Sequence, residues 1–285
     1  MNTWFTEDQT RHLRLSMRIS AHIAHARSRY QRCDIYETAE FGRMLTLDDR
    51  VMVTEFDEFF YHELISHPAL CVHPNPRRVA VIGGGDGGTL REVVRHAEVE
   101  EAHLVELDEA VIALCREHLP QTACGFDSPK AKITISDGIN FLVKHRDYFD
   151  VILFDCPDLT YFAEKLRPGE FASCLAGALR ADGIVVSQVE NAFLDEGRLM
   201  AEVVAELRDH FPVQVPFWGA VPSYPGGSWS FLFSSKTHHP LQAFRKERAD
   251  AVSRTSRYYN AEIHPALFAL PNGLKHALGA AGSEA

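Results

Sequence analysis

The stretch 78–108 constrains the fold of this chain more than any other part of the sequence. Residues 79–82 form a short apolar run rich in β-branched side chains, which is typical of a buried strand. A glycine-rich turn follows at 83–88, a helical pattern covers 89–96, and a second buried strand is predicted at 102–107. This order predicts the first half of a parallel sheet that binds a nucleotide.

An acidic residue follows the glycine turn at the distance at which nucleotide-binding sheets place a ribose ligand. Glu106 lies near the end of the second strand, roughly 20 residues on, where it can accept hydrogen bonds from two ribose hydroxyls. Gly83, Gly85 and Gly88 also satisfy the dinucleotide pattern G-x-G-x-x-G. Asp86 lies inside that turn, however, and would repel a pyrophosphate. The sequence therefore favours a sulfonium nucleoside such as S-adenosylmethionine over a dinucleotide or a turn without a ligand.

Composition and charge exclude several classes of protein. The 285 residues suffice for two domains, and a hydrophobic content of 46% predicts a real core. A formal net charge of −10 disfavours nucleic acid and favours small cationic substrates. We expect a cytoplasmic protein without a secretory signal or membrane span, because no apolar run is long enough. The six cysteines lack C-x-x-C pairs, which fits a reducing cytosol and argues against zinc.

Residues 1–77 form a predicted N-terminal domain of antiparallel β-hairpins with a linking helix. Alternating polar and apolar residues at 30–48 and a short apolar run at 51–54 indicate the strands. The helix is predicted at 57–66, and the prolines that follow it mark the passage into the second domain.

From residue 78 onward strands and helices alternate, which is typical of an α/β domain with a mostly parallel sheet. Further strands are predicted at 132–136, 148–154, 183–188, 213–217 and 229–234. Further helices are predicted at 110–118, 139–145, 169–179 and 196–210.

Polar residues follow five consecutive predicted strands, and ligands of an open parallel sheet bind at the carboxyl ends of its strands. These residues are Asp86, Glu106, Asp137, Asp155 with Asp158, and Gln188. Each alone has an ordinary explanation as a turn residue or a helix cap. Together, Asp86, Asp155 and Asp158 predict an anionic pocket that can hold a diammonium and take a proton from one amine.

With these motifs the chain resembles the polyamine aminopropyltransferases, the family that includes spermidine synthase. The resemblance covers nearly the whole sequence. It rests on YQ at 30–31, ET-x-x-FGR-x-L-x-LD at 37–48, TE-x-DEF-x-YHE at 54–63, IGGGDGGTLREV at 82–93, VELD at 105–108, SDG at 136–138, D-x-x-D at 155–158, Gln188, PSYPGG at 222–227 and RYYN at 257–260.

The resemblance implies decarboxylated S-adenosylmethionine as a co-substrate, with no prosthetic group and no metal. The implied donor-binding residues are Gln31, His62, Gly83, Gly85, Asp86, Glu106, Asp137 and Gly138. Asp155 is the implied catalytic base, with Tyr61 beside it as a second catalytic residue. The implied acceptor contacts are Asp158, Gln188 and Tyr224.

The sequence departs from the family pattern around the acceptor. The family usually has D-[SC]-[ST]-D-P-x-G-P where this chain has DCPDLTYF at 155–162. Tyr161 and Phe162 replace the usual Gly and Pro, and Trp229 adds bulk after PSYPGGS. These changes leave the reaction class intact, whereas the choice of acceptor depends on them.

We therefore expect an enzyme in which a Rossmann-like, methyltransferase-type domain at 78–285 follows the N-terminal β domain. Its expected reaction is aminopropyl transfer to a diamine or polyamine, by default putrescine to spermidine, with release of methylthioadenosine. Alternatives are another acceptor (agmatine, cadaverine or a longer amine), a carboxylated donor, a small-molecule methyltransferase, and a non-catalytic nucleoside-binding homologue. The family further implies a homodimer or homotetramer.

Overall fold

The computed structural model of the chain describes residues 3–156 and 169–279. The first part of the chain forms a five-stranded antiparallel sheet in which neighbours in sequence are neighbours in the sheet. Its strands are β1 (Thr3–Thr10), β2 (Leu13–Arg27), β3 (Arg32–Thr38), β4 (Arg43–Leu47) and β5 (Arg50–Thr54). The predicted antiparallel β region is therefore confirmed, with β3, β4 and β5 as its predicted strands.

Strands β1 and β2 lie outside the hairpins that the sequence predicts. Phe5 and Glu7 are the buried positions of β1, and Met17 is the buried position of β2. A strand with so few buried apolar residues gives little alternation in its sequence. The structure therefore shows an N-terminal hairpin that the sequence did not predict.

The second sheet supplies the predicted Rossmann-like architecture. Its strands are β6 (Arg78–Gly83), β7 (Glu101–Glu106), β8 (Ala131–Ile135), β9 (Phe149–Asp155), β10 (Leu179–Gln188), β11 (Val213–Ala220) and β12 (Ser228–Ser235). They lie in the order β11–β12–β10–β9–β6–β7–β8. Strands β6 to β10 are parallel, and β12 and β11 extend one edge in antiparallel pairing.

Helices cover both faces of this sheet. They are α1 (Glu58–Leu70), α2 (Gly88–Arg95), α3 (Glu109–His118), α4 (Pro120–Ala123), α5 (Gly138–Val143), α6 (Glu170–Ala178), α7 (Arg198–Leu207), α8 (Lys246–Val252), α9 (Ile263–Leu267) and α10 (Asn272–Gly279). Alternate residues of β9 enter different cores: Val151 and Leu153 pack with α1 and α2, whereas Ile152 and Phe154 pack with α5 to α7. None of the described helices combines the length and apolar character needed to cross a bilayer.

The strand order reverses between β6 and β9. From β6 the chain first adds β7 and β8 on one side and then adds β9 and β10 on the other. Gly83, the last residue of β6, pairs with Asp155, the last residue of β9. Ligands of open α/β sheets bind in the crevice at such a reversal. The fold therefore indicates a ligand-binding site at the carboxyl ends of β6 and β9.

Helix α1 joins the two sheets and is buried along nearly its whole length. Its Leu64 packs in the same core as the second sheet. Asp57, just before the helix, accepts hydrogen bonds from Thr54 Oγ1 at 2.6 Å and from the backbone N–H of Ser223 at 2.7 Å. These bonds fasten the end of β5 to the loop between β11 and β12. The predicted domain boundary after residue 77 stays a prediction.

Candidate active site

The glycine turn after β6 lies directly against the end of β9. Gly83 has a φ of +84°, and a Cβ at this position would lie 2.2 Å from the backbone oxygen of Asp155. The N–H of Gly84 donates to the same oxygen over 3.0 Å. Because only glycine permits this approach, the glycine run fixes the turn against β9 at the reversal of strand order.

The Asp155 side chain is partly buried and is held by two hydroxyl groups. Tyr61 donates to its Oδ1 at 2.6 Å, and Thr89 donates to its Oδ2 at 2.7 Å. Loss of water contact raises the pKa of Asp155, and the negative charge of Asp86 raises it further. The positive His62 and the two hydroxyls oppose this rise without cancelling it. Asp155 therefore binds a proton more readily than an ordinary aspartate does.

Asp86, in the glycine turn, contacts the buried imidazole of His62. Nε2 of His62 lies 3.0 Å from Oδ1 of Asp86, and Nδ1 lies 2.7 Å from Oε2 of Glu58. Burial disfavours the imidazolium, but the two carboxylates outweigh burial and raise the pKa of His62 to about 10. Burial also acts to raise the pKa of Asp86, yet the positive His62 holds that pKa below its ordinary value. Asp86 is therefore an anion at neutral pH.

A second ion pair, between Arg91 and Glu58, holds the carboxylate that contacts His62. Arg91 donates to both carboxylate oxygens of Glu58, at 3.0 and 2.8 Å. Although burial raises the pKa of Glu58, His62 and Arg91 together bring it below the ordinary value. On the other side of the ring, a Cβ at Gly88 would lie 2.1 Å from Cε1 of His62. The imidazole is thus fixed between α1 and the start of α2.

Acidic side chains also lie at the end of β7 and just after β8. Oε1 of Glu106 accepts the N–H of Asp108 at 2.8 Å, and loss of water contact raises the pKa of Glu106 to about 7. Asp137 caps α5 by accepting the N–H of Asn140 at 2.9 Å. Gln31, just before β3, donates from Nε2 to Asp108 at 3.0 Å. The N-terminal sheet therefore reaches the carboxyl edge of the second sheet at this point.

Gln188, Tyr224 and Trp229 form the wall on the side of β10 and β12. Nε1 of Trp229 donates to Oε1 of Gln188 at 2.9 Å, and Nε2 of Gln188 donates to the backbone oxygen of Cys156. The Tyr224 hydroxyl donates to the backbone oxygen of Met52, and its ring packs edge-on against Trp229 with centroids 4.8 Å apart. Trp229, together with the backbone of Cys156 and of Glu190, therefore orients the Gln188 amide.

These groups face one cavity of about 540 Å³ that both sheets line. The predicted site residues that line it are Gln31, Tyr61, His62, Gly83, Gly85, Asp86, Glu106, Asp137, Gly138, Asp155, Gln188 and Tyr224. Asp158, Tyr161 and Phe162 lie outside the described residues. The fold brings the described members of the predicted set together, while the role of each stays a prediction.

Three further groups of this region are absent from the predicted set. Glu7 of β1 lines the cavity and accepts the N–H of Val51 at 3.1 Å, but it lies on a strand that the sequence does not reveal. Thr89 binds Asp155, although a threonine in the first turn of a helix usually has only a local role. Glu58 contacts His62. Its position in the DEF-x-YHE segment is the sequence feature that could have identified it.

The pKa of His62 predicts how stability depends on pH. The pKa of a histidine is ~6.5 in an unfolded chain, whereas that of folded His62 is about 10. Because the pKa is raised, the stabilising effect is complete below pH ~6.5 and is lost as pH rises through the folded value. Between these limits the free energy of unfolding falls by up to ~1.4 kcal/mol per pH unit.

Urea unfolding of the wild type and of His62→Gln between pH 6 and pH 9 measures this effect. We expect the stability advantage of the wild type to shrink steadily as pH rises. His210→Gln, at an exposed histidine, is the matched control and should track the wild type. An advantage that stays constant over this range would contradict the raised pKa.

Family models and known proteins match almost the whole chain. The spermine/spermidine synthase domain matches residues 58–246, and the spermidine synthase tetramerisation domain matches residues 3–55. The polyamine aminopropyltransferase of Caldicellulosiruptor saccharolyticus is 43% identical over 273 residues, which cover 95% of this chain and 96% of that protein. Its counterpart in Thermotoga petrophila is 40% identical over 280 residues, covering 97% of this chain and 94% of that protein.

Solved structures agree with this assignment. The crystal structure of spermidine synthase from Thermotoga maritima has 39% sequence identity and a TM-score of 0.90, over 97% of this chain and 95% of that one. A spermidine synthase in complex with the transition-state analogue AdoDATO has 39% identity and a TM-score of 0.93, over 98% and 95%. On this evidence the chain belongs to the spermine/spermidine synthase family, the polyamine aminopropyltransferases.

Proposed function

We propose that this chain transfers the aminopropyl group of decarboxylated S-adenosylmethionine to a diamine or polyamine and releases methylthioadenosine. Putrescine is the proposed default acceptor, and spermidine the product. The observation that carries the proposal is the pair Asp86 and Asp155, two carboxylates that line one cavity and carry opposite pKa shifts. An anionic cavity matches a donor with an ammonium and a sulfonium but no carboxylate, and it matches a cationic acceptor.

Asp86 binds the aminopropyl ammonium of the donor in this proposal. Its lowered pKa keeps it ionised, which a site for a cation requires. His62 contributes by holding Asp86 in that form, over a contact of 3.0 Å. The neighbouring positions Gly83 and Gly85 give the ligand close access to the backbone of the turn.

The nucleoside of the donor lies at the ends of β7 and β8. Glu106 binds the ribose hydroxyls, and its pKa of about 7 lets it accept or donate a hydrogen bond near neutral pH. Asp137 and Gly138 contact the adenine, as the family resemblance implies. Gln31, from the N-terminal sheet, closes the nucleoside end of the cavity. Its hydrogen bond to Asp108 holds it there.

Asp155 is the proposed base. A protonated amine has no lone pair, so Asp155 first takes a proton from the acceptor's ammonium. The free amine then attacks the carbon next to the sulfonium, a C–N bond forms, and the C–S electron pair goes to sulfur. Methylthioadenosine leaves as a neutral thioether. Tyr61 and Thr89 hold the carboxylate in position for this step, and positioning supplies much of the rate.

The acceptor lies between the base and the wall formed by Gln188 and Tyr224. Glu7, which is 6% exposed and lines the same cavity, is a further carboxyl group for the distal ammonium of a diamine; burial raises its pKa, and a bound ammonium favours its ionised form. Asp158 is also proposed as an acceptor contact. Trp229 narrows this wall, so the choice among putrescine, cadaverine and agmatine depends on it.

We further propose that the protein is a homodimer or homotetramer. The family model that matches residues 3–55 describes a tetramerisation domain. Trp4 on β1, with 56% of its surface exposed, and Leu13 at the start of β2, with 39%, offer apolar contacts on that domain. Exposed apolar side chains on a sheet are typical of surfaces that another chain covers.

The function is tested by identifying the product that leaves. We expect methylthioadenosine when the chain is incubated with decarboxylated S-adenosylmethionine and putrescine, followed by mass spectrometry. S-adenosylhomocysteine from the intact donor would instead indicate methyl transfer, and neither product with any amine would indicate a binding protein. In Asp155→Asn, kcat should fall by ~10²–10⁴-fold because the base is lost.

Asp127→Asn is the matched control for Asp155→Asn, because Asp127 pairs with Arg116 on the surface. We expect it to retain the wild-type kcat. A kcat within a few-fold of the wild type in Asp155→Asn would remove Asp155 from the role of base.

The Tyr61–Asp155 bond predicts a shift in the pH profile. Tyr61→Phe removes a hydrogen bond to the ionised form of Asp155, so the pKa of Asp155 should rise. A bond to a charged group is worth ~1.5–3 kcal/mol, which corresponds to about one to two pH units. We expect the acid limb of kcat/KM to move to higher pH by that amount.

Tyr148→Phe serves as the matched control, since its hydroxyl binds Glu101 at the opposite end of the sheet at 2.7 Å. Its pH profile should equal that of the wild type. If Tyr61→Phe leaves the acid limb in place, the limb does not report Asp155.

A further inference from the structure

A bulge in β2 places two histidines on the same face of the N-terminal sheet. His22 pairs with Tyr36 and His25 pairs with Asp34 across β2 and β3. The register shifts between His22 and Ala24, so β2 carries one extra residue here. Residues three apart in a regular strand face opposite sides, whereas residues two apart, such as Asp34 and Tyr36, share a side. The bulge therefore turns His25 to the face that His22 occupies.

Both imidazoles converge on one buried carboxylate oxygen. Nε2 of His22 lies 2.7 Å from Oδ1 of Asp34, and Nδ1 of His25 lies 2.9 Å from the same atom. The three ligand atoms all lie within 4.8 Å of one another. The Asp34 side chain is 3% exposed, whereas each imidazole is 47% exposed. The cluster is thus open to solvent on the histidine side and rests on a buried anion.

The rest of the cluster fixes the orientation of its members. Nε of Arg32 donates to the other oxygen of Asp34, Oδ2, at 2.9 Å. Arg32 also pairs with Asp49, so a second carboxylate balances the guanidinium. The His22 ring stacks on Tyr36 with centroids 4.7 Å apart. A carboxylate held by its second oxygen and a ring held by stacking are the kind of support that orients metal ligands.

We propose that His22, His25 and Asp34 bind a divalent first-row transition cation of the zinc class. Two imidazole nitrogens and one carboxylate oxygen are ligands that such cations accept. The cation takes the place of the two N–H protons that face Oδ1, and each imidazole then carries its proton on its other nitrogen, Nδ1 of His22 and Nε2 of His25. Three protein ligands leave a fourth tetrahedral position for a water molecule.

The proposed cation site is separate from the proposed aminopropyl transfer. None of its three ligands lines the cavity that holds Asp86 and Asp155. The scattered cysteines argue against a thiolate zinc site, and this argument does not extend to histidines. On a regular strand, an H-x-x-H spacing places the two histidines on opposite faces, so the sequence alone does not reveal the pair. Only the bulge brings their side chains together.

The test is a titration of the metal-free full-length chain with Co²⁺, followed by displacement with Zn²⁺. We expect visible absorption from bound Co²⁺ that saturates at one equivalent per chain and disappears when Zn²⁺ is added. His22→Gln and His25→Gln should each lower the Co²⁺ affinity at least tenfold, because each removes one of three ligands. Circular dichroism confirms that both variants are folded, and aminopropyl transfer should be unchanged in both.

His210→Gln is the matched control, since His210 is an exposed histidine on the second domain that contacts Ser173. It should bind Co²⁺ as the wild type does. A thermal unfolding scan gives a second measurement: Zn²⁺ should raise the Tm of the wild type but not that of His25→Gln. The proposal is overturned if the wild type binds no Co²⁺ at millimolar concentration, or if His22→Gln and His25→Gln bind it as tightly as the wild type.

Discussion

The site depends on two carboxylates, Asp86 and Asp155, whose pKa values shift in opposite directions within one cavity. Like charges repel and loss of water penalises both, so the surrounding groups decide in which direction each pKa moves. The positive His62 contacts Asp86 directly and brings its pKa below the ordinary value, whereas at Asp155 burial and the charge of Asp86 outweigh His62 and the two hydroxyls, so its pKa rises. Neighbouring carboxylates whose pKa values are driven apart take different roles. In the proposed mechanism, this difference gives the donor cation to Asp86 and the acceptor proton to Asp155.

The fold supplies this difference through contacts that join distant parts of the chain. Glycine at position 83 lets the turn after β6 touch the end of β9, which brings the two aspartates into one cavity. Glu58 and Arg91, from α1 and α2, hold the His62 imidazole, which lowers the pKa of Asp86 in the turn. The N-terminal sheet covers the cavity and contributes Glu7 to its lining. The glycine turn, helices α1 and α2, and the N-terminal sheet thus all act on the charged groups of this site.

Sequence patterns predict the parts of this structure that depend on local order. Apolar runs and glycines locate the strands of the second sheet, and the acids after them locate its carboxyl edge. Local patterns do not predict the pairing of Glu58 with Arg91, because it spans 33 positions and forms only when α1 meets α2. Strand β1 and its Glu7 escape prediction because the strand has few buried apolar residues. The bond from Trp229 that orients Gln188 likewise requires the paired strands to be in place.

Calorimetric titration with intact and with decarboxylated S-adenosylmethionine tests the division of roles most directly. Two unit charges ~4 Å apart interact by ~4 kcal/mol at an effective dielectric constant near 20, so an added α-carboxylate should be strongly disfavoured beside Asp86. We predict that the wild type binds the decarboxylated donor at least tenfold more tightly, and that Asp86→Asn loses most of this preference while Asp155→Asn retains more of it. Equal affinity of the wild type for the two donors would contradict the account.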